Sequence, residues 1–205
     1  MRQNLMMCLG LSALCLLNSG CSSSTGDNAG GGGGGGGGGQ AITTDAAAKS
    51  AWSFLWSAGA EVNGNVAVDF TGPVSVAGAA GSASVTGTKT ESSTSYSTSY
   101  STTRAADLNL SFASFVPVAR PDGSLSGDMR WYDYYYSRTA CSSSTCASST
   151  HHTEAIEGTN LTVKFEAGGV TYSDVITISA GSPDYTSRWD VTITTKNGTV
   201  FSFSD

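Results

Sequence analysis

The sequence predicts an all-β fold: an antiparallel β-meander forming a sandwich or a curved open barrel, with a short N-terminal helix. Three observations carry this. Apolar and polar residues alternate in several runs, as at Leu108, Leu110 and Phe112 and again at Leu161, Val163 and Phe165, the period of strands with one buried face. Turn chemistry separates the runs, at Arg120-Pro121-Asp122-Gly123-Ser124 and at Lys196-Asn197-Gly198. Charged residues make up only 13% of the chain, with Ser and Thr in their place, a balance closer to secreted β-rich proteins than to cytosolic enzymes.

The first 40 residues have a different job. Arg2 supplies a positive charge, and Leu5 to Leu17 is almost wholly apolar, too short to span a bilayer as a helix but suited to a signal peptide over residues 1–20. Leu17-Asn18-Ser19-Gly20-Cys21 resembles the lipobox of bacterial lipoproteins. The resemblance implies cleavage before Cys21, acylation of Cys21 and, with Ser22 following, placement in the outer membrane of a Gram-negative envelope, facing the periplasm or the surface. Several acyl chains at ~0.8 kcal/mol per buried CH₂ hold such a protein on a membrane. Residues 21–40 then form a disordered Gly/Ser tether, a coil spanning on the order of 25 Å. The glycine run lacks the flanking strand, helix and Lys-Ser/Thr end of a phosphate loop.

Residues 41–205 suit one β-rich domain. At its start, Thr43-Thr44-Asp45 before Ala46-Ala47-Ala48 reads as a helix N-terminus. Ala48, Trp52, Leu55 and Trp56 would share one face, although Trp52, Phe54 and Trp56 also alternate as in a strand. Either way these aromatics form a lid on the sheet. Val66, Val68 and Phe70 open the period-two pattern, and the three aliphatic-x-aliphatic-x-Phe runs suggest an internal repeat. Thr86 to Thr103, "TGTKTESSTSYSTSYSTT", offers strand propensity and little to bury. It reads as two exposed strand ends and a mobile turn, with a glycosylated or adhesive tract as the alternative. In the Arg120–Ser124 turn, Pro121 sets φ and Gly123 supplies a left-handed position. At Lys196-Asn197-Gly198 a three-residue loop with Gly198 in a bulge sets Ile193 opposite Phe201 and Val191 opposite Phe203, aligning the apolar faces.

The segment with most chemistry is "MRWYDYYYSRTACSSSTCASSTHHTEAIEG", residues 129–158. Cys8 and Cys15 leave with the leader and Cys21 takes the lipid. Cys141 and Cys146 remain as a pair in an oxidising compartment. Pairing them across a hairpin sets Trp131 opposite Ile156, Arg130 opposite Glu157, Tyr136 opposite His151 and Tyr135 opposite His152. The same register sets Asp133 opposite Glu154, a like-charge pair that destabilises a sheet. Either the strands twist the two apart into solvent or a cation sits between them. His152 lies on that face, so Asp133, His152 and Glu154 are metal-ligand candidates, with oxygen ligands suited to calcium. His151 points the other way. Tyr132, Tyr134 and Tyr136 line one face, with Trp131 and Tyr135 on the other. Both faces cannot be core in a two-layer fold, so one aromatic row is left for a sugar ring or a protein partner; an aromatic ladder that only braces the hairpin is the alternative.

Net charge of −6 with 10 Lys+Arg argues against nucleic acid. The chain has no G-x-S-x-G, no H-E-x-x-H and only two histidines, so no catalytic residue and no cofactor are assigned. The expected protein is a membrane-anchored envelope lipoprotein with a binding or structural role, its partners the membrane and an envelope polysaccharide or protein. The alternative is a secreted hydrolase with an unrecognised acidic site.

Overall fold

The computed structural model describes residues 38–142, 145–182 and 188–205; the leader, Cys21 and the tether through residue 37 lie outside them. The order is α1 (Asp45–Asn65), β1 (Val74–Ala77), β2 (Ala80–Tyr96), β3 (Ser99–Val116), β4 (Ser124–Ser142), β5 (Thr145–Ala167), β6 (Val170–Ser182), β7 (Asp190–Thr195) and β8 (Val200–Ser204). All eight strands form one sheet in chain order, each antiparallel to its neighbours. The sheet is not closed into a barrel: β1 and β8 are its edges. The meander and helix expected from the period-two runs and the helix-start signal are present, the helix longer than expected at 21 residues.

Thr44 starts α1 from an extended conformation, and its hydroxyl accepts a hydrogen bond from the Ala47 N–H at 3.2 Å, satisfying one of the helix's orphan donors. Ala48, Ala51, Trp52, Leu55, Ala58, Gly59 and Val62 are buried, the stripe of a helix lying on a sheet. Trp56, expected on that stripe, is 44% exposed. Phe54 is buried instead, because the stripe turns toward the 120–123 turn. Phe54 stacks near Phe165 at 6.2 Å, with the Arg120 guanidinium 5.7 Å from its ring.

Two glycines set the spacing of these layers. A methyl group at Gly59 would lie 2.6 Å from the Trp131 ring, so helix and sheet touch there only because the side chain is absent. Gly123 corrects an expectation: it is not among the positive-φ residues. What it supplies is room, since a methyl group there would meet the Lys164 carbonyl oxygen and lie 2.5 Å from the Phe54 ring.

The core gathers on the helix side of the sheet. Val85, Leu108, Leu110, Met129, Trp131, Ile156, Leu161, Val163, Phe165, Ile178 and Ile193 are all nearly inaccessible. Leu108, Leu110 and Phe112, and Leu161, Val163 and Phe165, are strand faces as expected. Val66, Val68 and Phe70 are not, and the repeat does not extend to them. Val66 caps α1, Val68 is exposed, and Asp69 has φ 57° and donates its N–H to the Lys89 carbonyl at 2.7 Å. The sequence alternates there, but the helix end leaves no room for a strand. The last hairpin has the predicted register, Ile193 opposite Phe201 and Val191 opposite Phe203, with Gly198 at φ 80°. At the chain's entry, Gln40 bridges to the edge of β6, donating to the Thr171 carbonyl at 2.8 Å and accepting from the Ser173 N–H at 2.9 Å.

Candidate functional site on the uncovered part of the sheet

Strands β2 to β5 run on past the end of α1. Lys89 marks the limit: its ammonium donates to the carbonyls of Asn63 at 2.6 Å and Val66 at 3.0 Å, satisfying the last turn with a cation that suits the helix dipole. Burial lowers the Lys89 pKa, while the charges of Asp133 and Glu91 act the other way. Beyond this row the strands continue as two hairpins side by side, paired across β3 and β4 as far as Ser99 and Ala140. Here both faces of the sheet carry polar and aromatic residues.

On the inner face, the one that carries the core, the first row past the helix is Lys89, Ala106, Asp133 and Glu154, and the second is Glu91, Arg104, Tyr135 and His152. Asp133 and Glu154 stand opposite each other, as the cysteine register required. They are not twisted apart into solvent: their side chains are 26% and 22% exposed. The His152 imidazole lies by both, its Nε2 3.1 Å from Asp133 Oδ1 and 3.8 Å from Glu154 Oε1. Burial raises the Glu154 carboxyl above its ordinary range and the Asp133 charge adds to this, with His152 opposing. The His152 ring also meets Tyr135 edge-on at 5.8 Å, and the Arg104 guanidinium lies 4.5 Å over Tyr135, a cation–π contact that holds the ring in place.

On the outer face Tyr132, Tyr134 and Tyr136 lie in a row, each half-buried. Tyr134 contacts His151 edge-on at 5.7 Å. At the foot of the row Arg130 donates from Nε and Nη2 to the two carboxylate oxygens of Asp107, at 2.8 and 2.9 Å, a planar bidentate pair. Beside it a groove of about 520 Å³ runs across β2 to β5, lined by Thr86, Asn109, Asp128, Arg130, Glu157 and Thr159 among others. A second hollow of about 250 Å³ lies between Arg130, Tyr132, Ala155 and Glu157. The groove lies where β4 and β5 both slip register, between Ser126 and Asp128 and between Gly158 and Leu161. Such bulges bend strands and re-aim side chains.

The two aromatic rows do not divide into one core row and one exposed row. Trp131 is buried under the helix, whereas Tyr135, on the same face, is half-buried like the outer tyrosines. The reason is the length of α1, which covers Trp131 and stops short of Tyr135. Cys141 and Cys146 are disulfide-bonded partners at the far end of the β4–β5 hairpin. In the neighbouring hairpin, Tyr96 and Tyr100 flank the Ser97-Thr98 turn at 71% and 50% exposure, the exposed strand ends expected of the hydroxyl-rich tract. Sequence reasoning did not single out Lys89, Arg104 or the Arg130–Asp107 pair as site residues. A signal existed for Lys89: it and Glu91 are the only charges between Thr86 and Thr103.

Comparison with protein families, with curated proteins and with solved structures finds no match for this chain.

Proposed function

We propose that this chain is a membrane-anchored envelope lipoprotein, held by lipid on Cys21 through the Gly/Ser tether, whose β-domain binds envelope polysaccharide along the outer face of β2 to β5. The observation that carries the reading is the juxtaposition of the Tyr132, Tyr134 and Tyr136 row with the polar groove around Arg130. Flat rings supply area at little conformational cost, and Asn109, Asp128, Arg130 and Glu157 supply the donors and acceptors that sugar hydroxyls need. The helix packs on the other face of the sheet, over Trp131 and Met129, and leaves the outer face of these strands partly exposed.

Two measurements test the reading. Cys21→Ser is expected to move the protein from the membrane fraction to the soluble one; a variant that stays with membrane lipid overturns the anchor. Affinity electrophoresis through gels containing envelope polysaccharide is expected to retard the wild type. Tyr134→Ala and Arg130→Ala should run faster than it, and equal mobility of all three overturns the binding face.

A further inference from the structure

We propose that Asp133, His152 and Glu154 form a binding site for one divalent transition-metal ion, best matched to zinc, on the inner face of the sheet just beyond α1. The inference is independent of the polysaccharide reading, which concerns the other face.

The geometry carries it. The three donor atoms come from adjacent strands and all lie within 4.8 Å of one another. Ligand atoms 2.0–2.1 Å from a tetrahedral zinc lie roughly 3.3 Å apart. The His152 Nε2 distances of 3.1 Å to Asp133 Oδ1 and 3.8 Å to Glu154 Oε1 bracket that spacing, and the two carboxylates, within 4.8 Å of each other, can close on an ion by side-chain rotation. The backbone is fixed too: Asp133 faces Glu154 in an unbroken ladder from Asp128–Thr159 to the Cys141–Cys146 disulfide. A like-charge pair held half-buried in such a ladder is an electrostatic cost, and a dication between the two acids removes it. The neighbouring cations make their hydrogen-bond and ring contacts elsewhere, although the Lys89 charge is felt by Asp133. Lys89 is bound to the carbonyls of Asn63 and Val66, and Arg104 lies over Tyr135.

Donor chemistry chooses the metal. Two carboxylates alone would suit calcium or magnesium, which take oxygen ligands. An imidazole nitrogen among the three moves the preference to zinc and its transition-metal neighbours. Three protein ligands leave one tetrahedral position for water or for a donor group from outside, and the half-exposed side chains put that position within reach of solvent. Tyr135, packed edge-on against His152, restrains the ring.

The test uses the untagged full chain, stripped with a chelator and with free thiols alkylated so that Cys8, Cys15 and Cys21 cannot compete. Calorimetric titration with Zn²⁺ is expected to give one site per chain and to raise the melting temperature, and Ca²⁺ is expected to do neither at the same concentration. His152→Ala and Glu154→Gln should weaken zinc by more than the roughly 10–100-fold that loss of a supporting contact costs. His151→Ala, changed on the opposite face, should bind as the wild type does. A readout without variants is protection from diethylpyrocarbonate: zinc should shield His152 and leave His151 reactive. No 1:1 site, equal losses from His151→Ala and His152→Ala, or zinc that shields neither histidine would overturn the proposal and leave the trio as a salt-linked cluster.

Discussion

The sheet has two halves built from the same strands. Under α1 the inner face is Leu108, Leu110, Met129, Trp131, Ile156 and Leu161, all essentially inaccessible. Two to four residues further along the same strands, past the Lys89 cap, that face becomes Asp133, Tyr135, His152 and Glu154. Strand alternation does not change at the boundary; what changes is whether a helix lies on top. Burial therefore follows the helix footprint and not the strand pattern. The chemistry available to this protein is concentrated where the footprint ends, because a half-buried surface can hold charges close together without a full desolvation penalty.

The largest expected effect belongs to the covered half. Leu161→Ala removes a side chain with no exposure and should cost about 2–5 kcal/mol by denaturant unfolding. Gly59→Ala should follow, at about 1–3 kcal/mol, because its methyl group enters the Trp131 ring and forces helix and sheet apart. If Gly59→Ala is neutral, the helix does not seat on Trp131 and its footprint ends elsewhere.

In the uncovered half the effects shrink. Replacing Cys141 and Cys146 together by Ser should cost about 2 kcal/mol or less, since the loop they close is short. Smaller still is the Arg130–Asp107 pair, on the outer face behind the covered rows. The Asp107 carboxyl is held below its ordinary range chiefly by the hydrogen bond from Arg130, with burial opposing and the Arg130 charge assisting. A carboxyl depressed in the folded state adds stability above its unfolded pKa of about 3.9, and that contribution is lost as pH falls through the folded value. Arg130→Gln should therefore lower stability slightly at neutral pH and leave it closer to the wild type in acid. The pair is substantially exposed, so salt should blunt the difference.

The two halves were not equally legible in the sequence. The Cys141–Cys146 pairing alone set the register of β4 and β5, and with it the placement of Trp131, Asp133, His152 and Glu154, because a hairpin with one fixed pair leaves little freedom for the rest. The last hairpin was legible for the same reason: only one register aligned Ile193 with Phe201. What could not be read was the extent of α1. Ala48, Trp52 and Leu55 gave the helix, yet whether Trp56 or Phe54 completed its stripe depended on a turn more than 60 residues away. Gly123 looked like a turn glycine and is a packing glycine, because its neighbours Phe54 and Lys164 are brought together only by the fold. The exposure of Tyr135 followed from the same unread quantity, where the helix stops.

We propose that the outer face of β2 to β5 binds and that the inner face under α1 supports it. The most direct measurement compares the Tyr132→Ala, Tyr134→Ala, Tyr136→Ala triple variant and the Tyr135→Ala single variant with the wild type, for melting temperature and for co-sedimentation with insoluble envelope polysaccharide. The triple variant is expected to melt cooperatively within several degrees of the wild type but to stay in the supernatant, while Tyr135→Ala sediments with the polysaccharide. A triple variant that sediments like the wild type, or that loses its cooperative melt while sedimentation is unchanged, would contradict it: the tyrosine row would then be a brace for the hairpin and not a binding surface.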